Sequence, residues 1–107
     1  MTLDEYQKKA LSTALPVTES IYYRTLGLVS EAGEIADRVK KWIRDYNSDE
    51  DKLDKKALAS ELGDVLWYTA TLADFLGFSL DDVANNNLDK LQDRKRRNKL
   101  RGSGDNR

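Results

Sequence analysis

Hydrophobic and polar positions along this chain alternate with the period of an α-helix in four successive segments. These segments predict helices from residues 3 to 13, 18–20 to 45, 53 to 76 and 80 to 98. Thr2 followed by Glu5 is a capping-box pattern for the first helix, and Pro16 ends its continuation. Ser79 is the predicted N-cap of the last helix, and Gly77 is the predicted end of the third. The chain is therefore predicted to be all-α, a bundle of about four helices.

Two of the predicted helices carry an apolar stripe that we expect to be buried. In the second helix its members are Tyr22, Leu26, Val29, Ala32, Ala36, Val39 and Ile43. In the third helix they are Leu58, Leu62, Val65, Leu66, Thr69, Leu72, Ala73 and Leu76. Glu61 lies only about 60° from the centre of the third-helix stripe, at about 100° per residue. A carboxylate at the rim of a buried face is costly unless it is paired or binds a cation.

The length and composition are typical of a small helical domain. The 107 residues are enough for one domain with a modest core. Charged residues make up 35% and apolar residues 39%, with six glycines and one proline, which favours helices over sheets. We therefore predict one domain over residues 1–101, whose core is completed by oligomerisation. Residues 102–107 cannot pack alone and are predicted to be a flexible tail unless something holds them.

The residue types that are missing exclude several kinds of chemistry. The sequence has no histidine and no cysteine, which excludes histidine bases, cysteine nucleophiles and zinc sites built on either residue. The formal net charge of −1 gives no overall attraction to nucleic acid or to an anionic membrane. No apolar run approaches the ~18 residues of a membrane helix, and no signal peptide is recognisable. We therefore expect a cytoplasmic protein with no membrane partner.

Two acidic motifs with the same spacing stand 30 residues apart. Glu31 and Glu34 form the first pair, Glu61 and Asp64 form the second, and each pair has a glycine between its members. Residues three apart share a helix face, so each motif presents two carboxylates together. If the helices pair, four carboxylates converge, and two of them about 4 Å apart repel by roughly 4 kcal/mol at an effective dielectric near 20. The arrangement therefore requires a hard, oxygen-preferring cation such as Mg²⁺.

Glycines and basic residues beside these motifs extend the prediction. Gly33 and Gly63 each cost about 1 kcal/mol relative to alanine inside a helix, which indicates the close approach of another helix or of a ligand. Basic residues follow the first motif and recur on the fourth helix, namely Arg38, Lys40, Lys41, Arg44, Lys90 and Arg94. Carboxylate ligands with lysine and arginine nearby are typical of a site for a metal-bound polyphosphate.

Simpler interpretations exist for each of these features. In a chain with 19 acidic residues, a single pair three apart arises by chance and usually forms a solvated helix face. On that interpretation the chain is a purely structural helical oligomer. The dense basic run at residues 94–101 also fits a non-enzymatic helical module that binds nucleic-acid phosphates. The same run fits the end of a helix, where cations interact favourably with the helix dipole.

At these residues the chain resembles the MazG-like all-α nucleoside triphosphate pyrophosphohydrolases. The hallmark of that family is ExxE, a spacer and ExxD, which here reads Glu31, Glu34, Glu61 and Asp64 with 26 residues between the motifs. The similarity extends over residues 26–34, 61–68, 87–94 and 102–107. Either motif alone is a weak signal, whereas the ordered set is specific and covers nearly the whole chain.

The resemblance implies Mg²⁺-dependent hydrolysis of a ribo- or deoxyribonucleoside triphosphate to the monophosphate and pyrophosphate, with water attacking at the α-phosphorus. Glu31, Glu34, Glu61 and Asp64 would be the catalytic metal ligands, with Mn²⁺ as a substitute for Mg²⁺. The expected partner is thus the nucleotide and not nucleic acid. Family members form dimers or tetramers, and their glycine-rich tail would close over a neighbouring subunit's site. The expected substrate-binding residues are Lys41, Asn87, Lys90 and Arg94.

The proton acceptor and the base-binding residues stay open. Some relatives carry a further glutamate just before the first motif, where this chain has Ser30. Glu31 and Glu34 are therefore both candidates for accepting the proton from water. The aromatic candidates for stacking on a nucleobase are Trp42, Trp67, Tyr22, Tyr23 and Tyr68, although aromatic residues on helices more often belong to the core.

Overall fold

The structure, a computed structural model, describes residues 1–107 except for the side chains of residues 18 and 19. In the part of the chain so described there are four α-helices and no strand, which confirms the all-α prediction. The helices are α1 (Leu3–Leu11), α2 (Ile21–Tyr46), α3 (Lys55–Phe75) and α4 (Leu80–Arg96). Short 3₁₀ turns at Pro16–Glu19 and Glu50–Lys52 precede α2 and α3. None of the helices, over the described residues, has the length and hydrophobicity needed to cross a membrane.

Each α-helix begins after a residue whose side-chain oxygen accepts a hydrogen bond from the backbone N–H three positions later. The acceptors are Thr2, Ser20, Asp54 and Ser79, and the N···O distances are 3.0 to 3.1 Å. The caps at Thr2 and Ser79 are those that the sequence predicts. α2 begins at Ile21, one residue after the range predicted for its start, and α3 begins two residues later than predicted.

A left-handed glycine ends α3 and turns the chain into α4. Gly77 has φ 84°, and its N–H donates to the carbonyl oxygen of Asp74 at 2.9 Å. The N–H of Phe78 donates to the carbonyl oxygen of Ala73, also at 2.9 Å. This pair of bonds is a Schellman motif, and it confirms the glycine end predicted for this helix. The end of α2 is similar in kind, because Asn47 follows it with φ 52°.

α2 and α3 pack side by side as an antiparallel hairpin. Arg24, near the start of α2, donates from Nη1 to the carbonyl oxygen of Thr71 near the end of α3 at 2.7 Å. Arg38, further along α2, contacts Glu61 near the start of α3. Advancing along α2 therefore means going back along α3. This antiparallel pairing brings the two acidic motifs to the same level of the hairpin.

A buried glutamine joins α1 to the corner between α3 and α4. Gln7 Nε2 donates to the carbonyl oxygens of Ala70 at 3.0 Å and Phe78 at 3.1 Å. Gln7 Oε1 accepts from the backbone N–H of Leu80 at 3.1 Å. Ala10, Ala70 and Leu80 form the buried apolar cluster beside this amide. One side chain thus bonds three backbone groups, and two of them, the carbonyl of Phe78 and the N–H of Leu80, lie at the corner where the helical hydrogen bonds are interrupted.

The stripe predicted to be buried on α2 is largely exposed in the single chain. Tyr22, Leu26 and Val29 are 78%, 69% and 65% exposed, and Leu62 of the α3 stripe is 59% exposed. The prediction was therefore wrong for most of the α2 stripe, because helical periodicity shows that a face is apolar but not what covers it. The half-buried apolar residues of α2 are Leu28, Ile35, Val39 and Trp42.

The glycines inside the acidic motifs do not mark a close helix crossing within the chain. A Cβ added at Gly33 or Gly63 would meet no atom within 4 Å among the described residues. The prediction of a tight crossing at these two positions was therefore wrong for one chain. Gly27 is the position where α2 and α3 come close, because a Cβ there would overlap the ring of Tyr68.

Candidate metal centre

Three carboxylates from α2 and α3 lie together on one side of the hairpin. Glu31 comes from α2, while Glu61 and Asp64 come from α3 and share a helix face. One oxygen atom of each lies within 4.8 Å of those of the other two. Glu31 and Glu61 are half-buried, and Asp64 is exposed. Both predicted acidic motifs thus contribute to one cluster.

Glu34 lies outside this group of three. It is exposed one turn further along α2, and its carboxylate is close enough that its charge helps to raise the pKa of Glu31. The predicted role of Glu34 as a metal ligand stays a prediction.

The electrostatics of the cluster favour a bound cation. Burial raises the pKa of the Glu31 carboxyl, and the negative charges of Asp64 and Glu61 raise it further. The pKa is raised because the ionised form of Glu31 is destabilised by partial desolvation and by its neighbours. A bound divalent cation would stabilise the ionised form of Glu31 and so offset both the desolvation and the repulsion from its neighbours. Three carboxylate oxygens from two helices are the donors that Mg²⁺ and Mn²⁺ prefer, so the residues present fit such an ion.

Arg38 belongs to the site, although the sequence analysis named it only as a nearby base. Its Nε donates to Oε1 of Glu61 at 3.0 Å. The Glu61 side chain is only 13% exposed, so this ion pair partly compensates for its desolvation. The sequence signal is the helical spacing, because Arg38 follows Glu31 by seven positions and Glu34 by four.

Aromatic side chains lie against the carboxylates. Trp67 Nε1 donates to Oγ1 of Thr13 at 2.9 Å, which links the end of α1 to this part of α3. Burial raises the pKa of the Tyr68 phenol, and the neighbouring Tyr23 raises it further. Tyr68 therefore stays protonated at neutral pH and can act as a hydrogen-bond donor. A surface pocket at this place is lined by Thr13, Glu31, Asp64, Trp67 and Tyr68.

A cavity of about 150 Å³ lies where α2 ends and α3 begins. Trp42 Nε1 donates to the carbonyl oxygen of Asp49 at 2.7 Å, which holds the indole against the connecting turn. Arg38 lines the cavity and also contacts Glu61, so the cavity adjoins the carboxylate cluster. Its lining combines aromatic, aliphatic and charged side chains, namely Arg38, Lys41, Trp42, Tyr46, Lys52, Leu53, Asp54 and Leu58.

Two of the predicted substrate-binding residues, Lys41 and Asn87, are not among the residues of the carboxylate cluster. Lys41 pairs with Asp37 at 2.6 Å and Lys40 pairs with the same carboxylate at 3.0 Å. Hydrogen bonds from these two lysines lower the pKa of Asp37. Asn87 is exposed on α4 and lines a shallow pocket with Lys90. The substrate-binding roles of Lys41 and Asn87 stay predictions.

Lys90 and Arg94 lie one turn apart on α4 and both contact Asp105 near the C-terminus. Lys90 Nζ is 2.9 Å and Arg94 Nη2 is 3.3 Å from Oδ1 of Asp105. The Arg94 side chain is only 5% exposed, and it also donates to the backbone carbonyl of Asp105. Within the described residues, the ion pairs of these two cations are with Asp105 and not with the carboxylate cluster.

Comparison with known proteins assigns the chain to a family. The sequence profile described as the MazG nucleotide pyrophosphohydrolase domain matches residues 22–98, which include all three clustered carboxylates. The chain belongs to this family. It is 46% identical over 114 aligned residues to the "Gene 37 protein" of Mycobacterium phage L5, with 100% of each chain covered. No solved structure matches the chain significantly.

The MazG match confirms the resemblance predicted from the ordered motifs. It supports a nucleotide pyrophosphohydrolase as the class of enzyme. The matched residues take in nearly all of α2 together with α3 and α4, whereas α1 lies outside them. The carboxylate cluster, the cavity beside it and the cation pair on α4 are therefore all within the MazG region.

Proposed function

We propose that this MazG protein hydrolyses nucleoside triphosphates to the monophosphate and pyrophosphate in a Mg²⁺-dependent reaction, with water attacking at the α-phosphorus. The observation that carries the proposal is the convergence of Glu31, Glu61 and Asp64 within 4.8 Å on two paired helices. Glu34 is included as a further ligand or as the proton acceptor.

Mg²⁺ bound there would neutralise phosphate oxygens and make a nearby water more acidic. The chain's own residues have complementary tasks in this proposal. Glu31, Glu61 and Asp64 hold the ion, and Arg38 keeps Glu61 in place through its 3.0 Å contact. Glu31 and Glu34 are the candidates for accepting the proton from the attacking water. Glu34 is the better placed of the two, since it is outside the group of three and its oxygens are exposed.

The cavity beside the cluster is our candidate for the nucleoside end of the substrate. Trp42 and Tyr46 supply aromatic surface for a base, and Leu53 and Leu58 supply apolar surface. The hydrogen bond from Trp42 to Asp49 fixes the indole before a ligand arrives, which reduces the entropy lost on binding. This assignment selects Trp42 from the five aromatic candidates of the sequence.

We propose that Lys90 and Arg94 bind phosphate groups and stabilise the leaving pyrophosphate. The two cations share one face of α4, and both already hold a carboxylate oxygen of Asp105. A lysine and an arginine with converging donors are a common phosphate site. Asn87 and, less directly, Lys41 are retained as additional contacts to the substrate.

We further propose that a second copy of the chain covers the exposed apolar face of α2 and α3. The buried apolar residues among the described residues are only Ala10, Ala70, Ala73 and Leu80. A core so small is insufficient for a domain of this size. On the exposed face, Gly33 and Gly63 leave open space that lets another helix approach closely. Two hairpins packed in this way form a homodimer with a four-helix centre. We place the activity of this dimer in the cytoplasm.

The nucleic-acid module is a weaker candidate. Asp93 pairs with Arg96 at 3.4 Å and with Arg97 at 2.8 Å, while Asp105 holds Arg94. Much of the basic run is thus already paired with carboxylates of the same chain. Cations that are already paired within the chain bind nucleic-acid phosphates less strongly than unpaired cations.

A panel of ribo- and deoxyribonucleoside triphosphates with product identification tests the enzymatic proposal. The expected products are a monophosphate and pyrophosphate, and ¹⁸O from labelled water should appear in the monophosphate. Glu61→Gln should abolish turnover with an unchanged circular dichroism spectrum, whereas Glu50→Gln, in the exposed turn before α3, should have wild-type activity. Orthophosphate as the first product, or full activity of Glu61→Gln, would refute the proposal.

A further inference from the structure

The C-terminal segment folds back onto α4 and forms a closed hook. Gly102 and Gly104 have φ of 108° and 90°, which only glycine adopts easily, and they reverse the direction of the chain. Arg107 closes the hook by donating to the carbonyl oxygens of Lys99 at 3.2 Å, Leu100 at 3.1 Å and Gly104 at 2.7 Å. The sequence predicts a flexible tail at residues 102–107 unless other groups hold it, and these hydrogen bonds are contacts of that kind.

The hook is also tied to the end of α4. Arg97 Nη2 donates to the carbonyl oxygen of Arg107 at 2.8 Å. The guanidinium of Arg107 satisfies backbone carbonyls that follow the last helical turn, where such groups lack helical partners. The segment therefore has a defined path on the surface, and that path determines where Asp105 lies.

At the tip of the hook, Asp105 occupies the place of an anionic ligand. Its Oδ1 accepts from both Lys90 and Arg94, as an oxygen of a phosphate group would. Its backbone carbonyl accepts a second bond from Arg94. Asp105 itself is 77% exposed, whereas the Arg94 side chain beneath it is 5% exposed. The residue can therefore leave without breaking any core packing, and its departure uncovers the guanidinium.

We propose that Asp105 is an internal competitor for the anion site formed by Lys90 and Arg94. A phosphate group of the substrate, or the pyrophosphate product, displaces the Asp105 carboxylate and the hook opens. The inference rests on the proposed function, which assigns phosphate binding to these two cations. It adds a regulatory element, because the apparent affinity for phosphate is reduced by the fraction of molecules in which the hook is closed.

The expected size of the effect follows from the exposure of Asp105. Ion pairs with one solvent-exposed partner are weak, so removal of the carboxylate should tighten anion binding by about 2- to 5-fold. The effect should be larger at low ionic strength, because salt screens an exposed pair. A competitor this weak regulates phosphate affinity without blocking the site.

Calorimetric titration with inorganic pyrophosphate, without divalent metal, tests the inference. Asp105→Asn removes the carboxylate charge and keeps the size of the side chain. Asp89→Asn is the matched control, because it removes one negative charge from an exposed position next to Lys90. The proposal expects Asp105→Asn to lower the Kd about 2- to 5-fold, while Asp89→Asn leaves it within error of the wild type.

Two results would overturn it. If Asp105→Asn binds pyrophosphate no more tightly than the wild type, Asp105 does not compete with it. Asp105 would then either position the two cations or have no effect on anion binding. An equal gain in both variants would mean that only the overall charge of the protein matters.

The competitor and the proposed enzymatic function can fail independently of each other. If Asp105→Asn binds pyrophosphate more tightly but the wild type hydrolyses no triphosphate, the competitor stands and the enzymatic proposal falls. If the wild type hydrolyses triphosphates but Asp105→Asn has unchanged pyrophosphate affinity, the enzymatic proposal stands and the competitor falls.

Discussion

Replacing Glu31 by glutamine should stabilise the metal-free protein. The change removes one of three carboxylates whose oxygens lie within 4.8 Å of one another. The Coulomb energy of one such pair is about 3.5 kcal/mol at an effective dielectric of 20 and about 1 kcal/mol in water. Because Asp64 is exposed and Arg38 partly compensates Glu61, the lower value is the better guide. A gain of about 1 kcal/mol should raise Tm by roughly 4 to 8 °C in a domain of this size.

The sign of the effect should depend on both pH and metal. The folded-state pKa of Glu31 is raised, mainly by burial and then by its acidic neighbours. Folding is therefore favoured by protonation of Glu31, and this contribution is lost as pH rises through the raised pKa. The advantage of Glu31→Gln should accordingly be present at neutral pH and shrink as the solution is acidified. With Mg²⁺ at 100 times its Kd, the wild type should gain about 2.7 kcal/mol and the variant much less.

Thermal melts at a fixed protein concentration and low salt are the appropriate measurement. They should be recorded with chelator and with Mg²⁺, and Glu50→Gln serves as the control because it removes one exposed negative charge outside the carboxylate cluster. The reasoning is refuted if Glu31→Gln is no more stable than the wild type in chelator while the control behaves normally. Equal stabilisation of the wild type and Glu31→Gln by Mg²⁺ would refute the assignment of Glu31 as a ligand.

Three other substitutions test separate parts of the structure. Trp42→Ala should raise KM for nucleotides with little change in Mg²⁺ stabilisation, whereas Trp42→Phe should retain most of the affinity, as measured by initial rates. Gly27→Ala should lower the free energy of unfolding by about 1 to 3 kcal/mol, because its Cβ would overlap Tyr68. In a double-mutant cycle measured by urea denaturation, the same substitution should cost less stability in the Tyr68→Ala background. Gln7→Ala should lower the free energy of unfolding by about 1 to 3 kcal/mol or more in urea, because it leaves backbone groups at the α3–α4 corner without partners.

Local signals in the sequence were sufficient for the four helices and for three of the four acidic residues expected to lie together. The caps at Thr2 and Ser79 and the left-handed Gly77 depend on neighbours within a few positions, so a sequence pattern captures them. The pairing of Glu31 with Glu61 could be anticipated for a different reason. Carboxylates at the rim of a buried helix face are costly unless they are paired or bind a cation, so both were expected where the two helices meet.

Features that depend on distant partners could not be predicted in the same way. The apolar period of α2 does not reveal that Leu28 is half-buried while Leu26, in the predicted stripe, is exposed, because the period identifies an apolar face but not what covers it. The three hydrogen bonds of Gln7 link positions 63 to 73 residues apart, and glutamine has no motif that announces such a role. The contact of Asp105 with Arg94 likewise depends on the path of the chain through two left-handed glycines.

The glutamine at the α3–α4 corner has a consequence for how such a protein can diverge. Gln7 lies in α1, outside the residues that match the family profile, yet its amide sets the angle at which α4 departs from α3. That angle aims Lys90 and Arg94, which lie further along α4. Substitutions in α1, a helix without any of the clustered carboxylates or the two cations, can therefore change the direction of those cations through small shifts at the base of α4.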